Sequence, residues 1–328
     1  MAEEPASKTQ NVFVTGATGF VGRYVVRELL ARGCRPVCLV RSVAKLYGQH
    51  PEIDPRRFVP VVGGLGDRKA LREAADLSQA AIHLVGIILA RPMRGQTFGR
   101  IHVQGTRHVL DAVRGARIRR YVHMSALGTR PDAVSKYHRT KWAAEELVRQ
   151  SGLDWTIFRP SLIHGPDGEF MRLMRRFMCA FLPPVIPYFG SGQARIQPVY
   201  VKDVAWCFAE ALRRDETIAQ TFPLGGPRAY TWVELYNLCR ASMPRAKRSK
   251  PMVSMPAPLA KVIATASAPV MGLAETVVPS LGLLRFDRGQ VQMAQEDSVC
   301  DHTAAERAFG IPMRDFEEEL ALYADRIQ

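Results

Sequence analysis

The chain has no C-x-x-C pair: its six cysteines stand at 34, 38, 179, 207, 239 and 300. Thiols scattered in this way argue against a disulfide framework and a zinc site, and they fit a reducing compartment. No metal is expected. The opening residues, MAEEPASKTQ, have no apolar core, so a secretory signal is not expected. Acid is scarce beside base, since 45 Lys and Arg against 31 Asp and Glu leave a net charge of +14. Such a surplus suits nucleic acid, an anionic membrane or an anionic ligand. The densest basic runs are RGARIRRY (114–121), RLMRRF (172–177) and RAKRSK (245–250). None has the interleaved aromatics that an RNA-reading sheet needs, so nucleic acid is set aside. Each run is read as solvated surface, with anion or membrane contact as the alternative. Charge is also nearly missing from residues 256–284, but Pro269, Glu275 and Pro279 argue against a spanning helix there. Buried or substrate-facing helices are expected, with a membrane- or partner-docking surface as the alternative.

What the chain does contain is rhythm. Its 328 residues suit one large α/β unit, or a nucleotide-binding domain with a smaller companion. Short apolar runs fall at 12–15, 36–40, 58–62, 80–85, 120–124 and 155–158. Helical patterns lie between them: Val21, Val25, Val26, Leu29 and Leu30 share one face before Gly33, and further helices are expected at 68–77, 98–114 and 137–151. Strand and helix in alternation predict a Rossmann-type, doubly wound parallel sheet with helices on both faces and ligands at the strands' carboxyl ends. The rhythm breaks near 165, where Pro and Gly become frequent. We therefore expect a dinucleotide-binding domain over 9–165, with about 195–215 returning to pack on it. Residues 166–328 should form a smaller α/β domain on the substrate side.

Three motifs carry chemistry. VFVTGATGFVGR (12–23) places Gly16, Gly19 and Gly22 between a strand and an amphipathic helix. Bare backbone there lets a pyrophosphate approach the helix N-terminus. The second strand ends in CLVRS, with Arg41 where an NAD site usually has an acid for the ribose hydroxyl. A guanidinium suits a 2′-phosphate instead, and Arg23 could flank the same group. NADP(H) is expected over NAD(H). In SKYHRTKWAAEE, Tyr137 and Lys141 are four apart and share one helix face. A neighbouring ammonium should lower the phenol's pKa towards neutrality. Ser125, at a strand end in YVHMSALG, stands where a carbonyl could be polarised.

Together these motifs resemble the short-chain dehydrogenase/reductase superfamily, from the glycine loop to at least YTWVEL (230–235). FRPSLIHGP (158–166) and QPVYVKDVA (197–205) resemble the cofactor-flanking and late-strand motifs of its extended and atypical members. GATGFVGRYVV, the arginine after the second strand, SALG and SKYxRxK are most similar to the nucleotide-binding accessory subunit of respiratory complex I and its bacterial relatives. The resemblance implies Ser125, Tyr137 and Lys141 as catalytic residues. It implies a cofactor site of Gly16, Thr18, Gly19, Phe20, Val21, Gly22, Arg23, Arg41, Gly64, Leu65, Val85, Gly86, Tyr137, Lys141, Pro160, Ser161 and Ile163. Two departures stand out. The usual GDL triplet after the third strand is GGL here, so backbone near Gly64 and Leu65 would hold the adenine. The usual NVxGT is HVQGT, with His102 in the asparagine's place, and we read His102 as structural. His83 and His123 are read as core-edge histidines; His164 could face the nicotinamide.

The first functional reading is an NADPH-dependent oxidoreductase acting on a carbonyl or quinone-like apolar substrate. The second is a non-catalytic NADPH-binding accessory or assembly factor linked to respiratory complex I or quinone biosynthesis. A nucleotide-sugar epimerase or dehydratase is a third, disfavoured by Arg41. The expected location is the cytoplasm, with peripheral contact to a membrane's inner face or a respiratory complex as the alternative.

Overall fold

Seven strands form one parallel sheet, and the apolar runs explain why. β1 (Asn11–Thr15), β2 (Arg35–Val40), β3 (Val59–Val62), β4 (Ala80–His83), β5 (Arg120–Met124) and β6 (Asp154–Pro160) occupy the six expected runs. Strands covered on both faces read as continuous hydrophobic runs, and Val12, Phe13 and Val14 are fully buried. The computed structural model describes residues 10–181, 184–256, 258–260 and 288–327. The expected apolar segment 256–284 therefore lies outside the described residues, apart from 256 and 258–260.

Alternation of side chains sends each strand into two cores. Val12, Val14, Cys38 and Val40 join α1 (Phe20–Ala31) and α7 (Val201–Ala211) on one face. Phe13, Val37 and Leu39 join α3 (Arg68–Asp76), α4 (Gly105–Gly115) and α5 (Lys136–Arg149) on the other. The sheet is thus wound on both sides, as the rhythm predicts.

Beyond β6 come β7 (Ile163–His164), α6 (Glu169–Cys179), β8 (Ile186–Phe189), β9 (Arg195–Ile196) and β10 (Val199–Tyr200). They are followed by α7, β11 (Gln220–Leu224), β12 (Tyr230–Thr231), α8 (Trp232–Ser242) and β13 (Met252–Met255). The sheet order is β11-β6-β5-β4-β1-β2-β3, so winding reverses between β1 and β4 and opens a crevice at their carboxyl ends. β11 is the one sheet strand missing from the six expected runs. Its sequence, QTFPL, contains Pro223, which argues against a strand; Pro is tolerated because β11 is an edge and pairs only with β6. The small paired strands, α6, α8 and the helices Thr303–Phe309 and Phe316–Tyr323 pack onto the α1–α7 side.

One residue of a basic run departs from the surface reading, while Arg114, Arg117 and Arg119 are exposed as expected. Arg120, 8% exposed, donates to the carbonyls of Ala211 and Asp154 and to the hydroxyls of Thr156 and Thr217. It ties β5 and β6 to the end of α7 and the turn before β11. Its neighbour Arg119 pairs with Asp154 at 2.9 Å, and Arg114 donates to the Ser151 carbonyl. A guanidinium carries five donors in a plane, and here several strand-end acceptors meet it.

The closest approach in the sheet-helix packing is made by a glycine. A Cβ on Gly22 would stand 2.0 Å from the Gly16 carbonyl oxygen and 2.9 Å from the Ala17 Cα. Both obstacles are backbone and cannot swing aside. Gly22→Ala should therefore cost about 1–3 kcal/mol or more, as overpacking does, seen as a lower thermal midpoint. Gly115→Ala, where a Cβ meets nothing within 4 Å, is the control and should leave the midpoint unchanged or raised. Equal midpoints for the two variants would show that the α1 contact is not tight.

Candidate active site

The turn between β1 and α1 follows the pattern read from its glycines. Gly16 has φ +78°, a left-handed conformation that suits glycine. The Gly19 amide donates to the Gly16 carbonyl at 2.9 Å and closes the turn. Gly19 is the N-cap of α1, and no side chain caps the helix. The first amides of α1 are thus left for an anion, aided by the helix dipole. Thr18 turns its carbonyl to the Gln49 side chain. Val21 sends its side chain into the core, and Phe20 lies against Gly165 and Gly168.

The two arginines differ. Arg23 faces Asp167, 3.3 Å away, and the Tyr24 hydroxyl donates to the same carboxylate at 3.0 Å. Arg41, after β2, is exposed, and its guanidinium has no hydrogen bond or ion pair among the described residues. Next to it, Ser42 caps the short helix α2 (Val43–Gly48) by accepting from the Lys45 amide. On the neighbouring strand end, a Cβ on Gly64 would meet nothing within 4 Å. Asp67 caps α3 by accepting from the Ala70 amide, and the Leu65 carbonyl is engaged by His108 at 2.8 Å.

Ser125, Lys141, Val85 and Gly86 gather at the carboxyl ends of β4 and β5. The Lys141 ammonium, 3% exposed, donates to the Met124 carbonyl at 2.9 Å. Burial lowers its pKa from 10.5 to about 8, partly opposed by Glu145 one turn along α5. A Cβ on Gly86 would come within 2.9 Å of that ammonium, and Val85 lines Gly16. Ser125 is buried and within 3.4 Å of the Thr129 hydroxyl. Tyr137, four residues before Lys141, lies among the rings of Phe98, His102 and His138. Its phenol departs from the expectation: burial pushes it up to about 12. Lys141 does not lower it here, because its ammonium is directed to Met124. Pro160, Ser161 and Ile163 follow β6; the Ser161 hydroxyl is within 3.0 Å of Ser298.

The histidines sort by partner. The Ile87 amide donates to His102 Nε2 at 3.1 Å, which leaves Nδ1 protonated and facing the Thr140 hydroxyl at 2.9 Å. Burial, with the nearby Lys141 charge, holds His102 down at about 2, so it is neutral. His102 thereby joins the chain after β4 to α5, next to Tyr137. His83 bridges the hydroxyls of Thr15 and Thr106 in the interior. His164, which could have faced a nicotinamide, is turned away: it contacts the Tyr323 hydroxyl at 2.9 Å and the rings of Tyr200 and Phe316. Three partners were not among the expected site residues. Glu145 repeats the Tyr137–Lys141 spacing and was readable from it. Phe98 lies over Tyr137 across a loop, and Asp167 is 144 residues from Arg23; no local pattern links these pairs. Among the described residues no group of His, Cys, Asp or Glu could hold a metal ion. Nor is any described helix long and apolar enough to cross a membrane.

The geometry has clear parallels. The sequence model of the NAD dependent epimerase/dehydratase family matches residues 12–225. A ceramide reductase of Caulobacter vibrioides is 34% identical over 238 residues, 68% of each chain. A mitochondrial NADH dehydrogenase (ubiquinone) 1 alpha subcomplex subunit 9 of Arabidopsis thaliana is 29% identical over 305 residues, 89% of this chain and 71% of that one. A chloroplastic divinyl chlorophyllide a 8-vinyl-reductase of Zea mays is 30% identical over 237 residues, 68% of this chain and 56% of its own. Among solved structures, gox2253 superposes with a TM-score of 0.67 over 95% of this chain and 96% of its own, at 24% identity, which shows the fold. This chain belongs to the NAD dependent epimerase/dehydratase family, the extended branch of the NAD(P)-binding short-chain dehydrogenase/reductases.

Proposed function

We propose that the protein is an NADPH-dependent reductase acting on an apolar carbonyl or quinone-like substrate. The observation that carries this reading is that a half-buried, protonated Tyr137 and the buried Lys141 ammonium stand one turn apart on α5 at the crevice. The uncapped α1 N-terminus, held close to the glycine turn because Gly22 lets the helix pack on the Gly16 carbonyl, fits a pyrophosphate, and the free Arg41 guanidinium fits a 2′-phosphate. Bound NADPH would supply a hydride. Ser125 would donate a hydrogen bond to the substrate oxygen and hold the carbonyl in place. Tyr137 would give its phenolic proton to that oxygen as charge develops there. Lys141 would steady the resulting phenolate and hold the ribose. A phenol raised to about 12 carries its proton at neutral pH, the form in which it can donate to the substrate oxygen. Two of the named relatives are reductases. A cleft of about 430 Å³ beside the site, lined by Ala90, Pro92 and Phe98 and also by Lys136 and Arg139, has room for a substrate with an apolar part.

A second reading keeps NADPH as a permanently bound ligand of an accessory or assembly protein. It is supported by the likeness to the Arabidopsis subunit, which spans 89% of this chain. The epimerase or dehydratase reading has only the family likeness and leaves Arg41 without a role.

Turnover separates the first two readings. In a carbonyl and quinone panel, Tyr137→Phe should lower kcat at least about a hundredfold, the range of general acid catalysis, with NADPH affinity kept. Unchanged turnover would remove Tyr137 from the chemistry; wild type that holds NADPH tightly and reduces nothing would establish the accessory reading. Cofactor choice is read by nicotinamide fluorescence. Wild type should bind NADPH more tightly than NADH, and Arg41→Ser should bring the two within a few-fold by weakening NADPH alone. Tighter NADH binding by wild type would sink the assignment of Arg41.

Lys141 supplies a pH test of the same site. Its folded-state pKa of about 8 lies below its ordinary 10.5, so between the two the unfolded chain binds more protons. The burial penalty is therefore present in full below pH 8 and is relieved as pH rises to 10.5. Wild-type stability relative to Lys141→Met should rise across that window by about 3 kcal/mol, measured by denaturant unfolding at several pH values. A flat difference would place the ammonium in solvent.

A further inference from the structure

Charge is distributed unevenly along the second half of the chain. No Asp or Glu occurs between Glu169 and Asp203, or between Glu234 and Glu275. The fold brings these two acid-free stretches together at the end of α6. The Lys247 amide donates to the Met178 carbonyl at 2.8 Å. Lys250, 6% exposed, turns its ammonium to the carbonyls of Phe177 (2.7 Å) and Ala180 (3.1 Å), closing the helix with a cation as its dipole favours. β13 then runs parallel to β8. The basic runs RLMRRF and RAKRSK, about 70 residues apart in the chain, so meet on one face.

Arg175, Arg245, Lys247 and Arg248 are exposed there, and among the described residues no carboxylate pairs with any of them. Their charges go uncompensated at close quarters: the charged neighbours of the Cys179 thiol are Arg175, Arg245 and Lys250. Among these cations stands Phe181, 80% exposed, with the Lys247 ammonium 4.9 Å from its ring centroid. Val253 and Leu259, a few residues beyond Lys250, are exposed as well. A phenyl ring exposed among unpaired cations is the pair of features that an interfacial anchor presents. The combination of uncompensated positive charge with an exposed aromatic ring matches an interfacial lipid surface. Nucleic acid fits less well, because strand-binding grooves stack successive bases on several rings, and Phe181 is a single exposed one.

We propose that this face, from Arg175 to Phe181 and from Arg245 to Arg248, docks the protein peripherally on an anionic phospholipid bilayer, with Phe181 inserted at the headgroup level. The proposal does not depend on whether the crevice turns over a substrate.

Co-sedimentation of the full chain with phosphatidylcholine vesicles, with or without phosphatidylglycerol, tests it. Binding should require phosphatidylglycerol and weaken as salt rises. Combined Arg245→Glu, Lys247→Glu and Arg248→Glu should lower partitioning at least about tenfold, since each cation near an anionic surface contributes. Phe181→Ser should weaken binding several-fold while leaving its salt dependence unchanged. Far-UV circular dichroism and the thermal midpoint identify any variant that has lost its fold. Phe181→Ser, a change at an exposed side chain, keeps the test decisive if the triple variant does not fold. Equal binding to phosphatidylcholine alone, no binding to either vesicle, or unchanged binding by a folded variant overturns the proposal. So does single-stranded RNA that binds the same face more tightly than the vesicles.

Discussion

A single buried ammonium sets the geometry of the crevice. Lys141 has left water, and its charge is met by the Met124 carbonyl and, one turn away, by the Glu145 carboxylate. Desolvation of a charge is tolerated only where such partners are fixed. The site is built to fix them. Gly86 lacks the side chain that would strike Nζ, so the chain leaving β4 can close over it. Glu145 is itself buried and held by Arg149 and Arg159. The ends of β4 and β5 and the first turns of α5 are thus placed by one charge. The same charge helps to keep the nearby imidazoles neutral: His83 and His102 are pushed down to about 3 and about 2, mainly by burial and further by Lys141. A neutral imidazole offers one donor and one acceptor, and His102 uses both, one to Ile87 and one to Thr140. It therefore acts as a brace beside Tyr137 rather than as a second acid.

This arrangement changes what the Tyr-x-x-x-Lys spacing means. On the sequence alone the ammonium should lower the phenol's pKa. In the fold the ammonium is turned to a backbone carbonyl, and ring packing raises the phenol instead. The two groups are neighbours on one helix face, yet their partners differ. The spacing names the groups; their surroundings set how each holds its proton.

Much of this could be read from the chain. Continuous apolar runs located six of the seven sheet strands, because a parallel strand covered on both faces has no reason to alternate. β11 escaped because Pro223 argues against a strand, and only its edge position makes the proline harmless. The glycine loop was legible because its spacing is dictated by backbone contact, Gly22 against the Gly16 carbonyl. Pairs set by tertiary packing were not. Arg120 looked like part of a basic surface run, but it is an internal anchor. The runs at 172–177 and 245–250 looked unrelated, but the cap that Lys250 places on α6 joins them. Charge density is a property of sequence; whether a charge faces water, carbonyls or other cations is a property of the fold.

The same distinction separates the two arginines of the nucleotide crevice. Arg23 already has a carboxylate, and so does the Tyr24 hydroxyl beside it. The contact of Arg23 with Asp167 pins the first turn of α1 to the segment after β7, while the Arg23 Nε is left without a partner among the described residues. Arg41 has no such commitment. An exposed guanidinium at the end of β2 gives up only solvent when it meets a phosphate, and its planar fork matches two phosphate oxygens at once. Of the two, Arg41 is the one whose guanidinium is wholly uncommitted among the described residues.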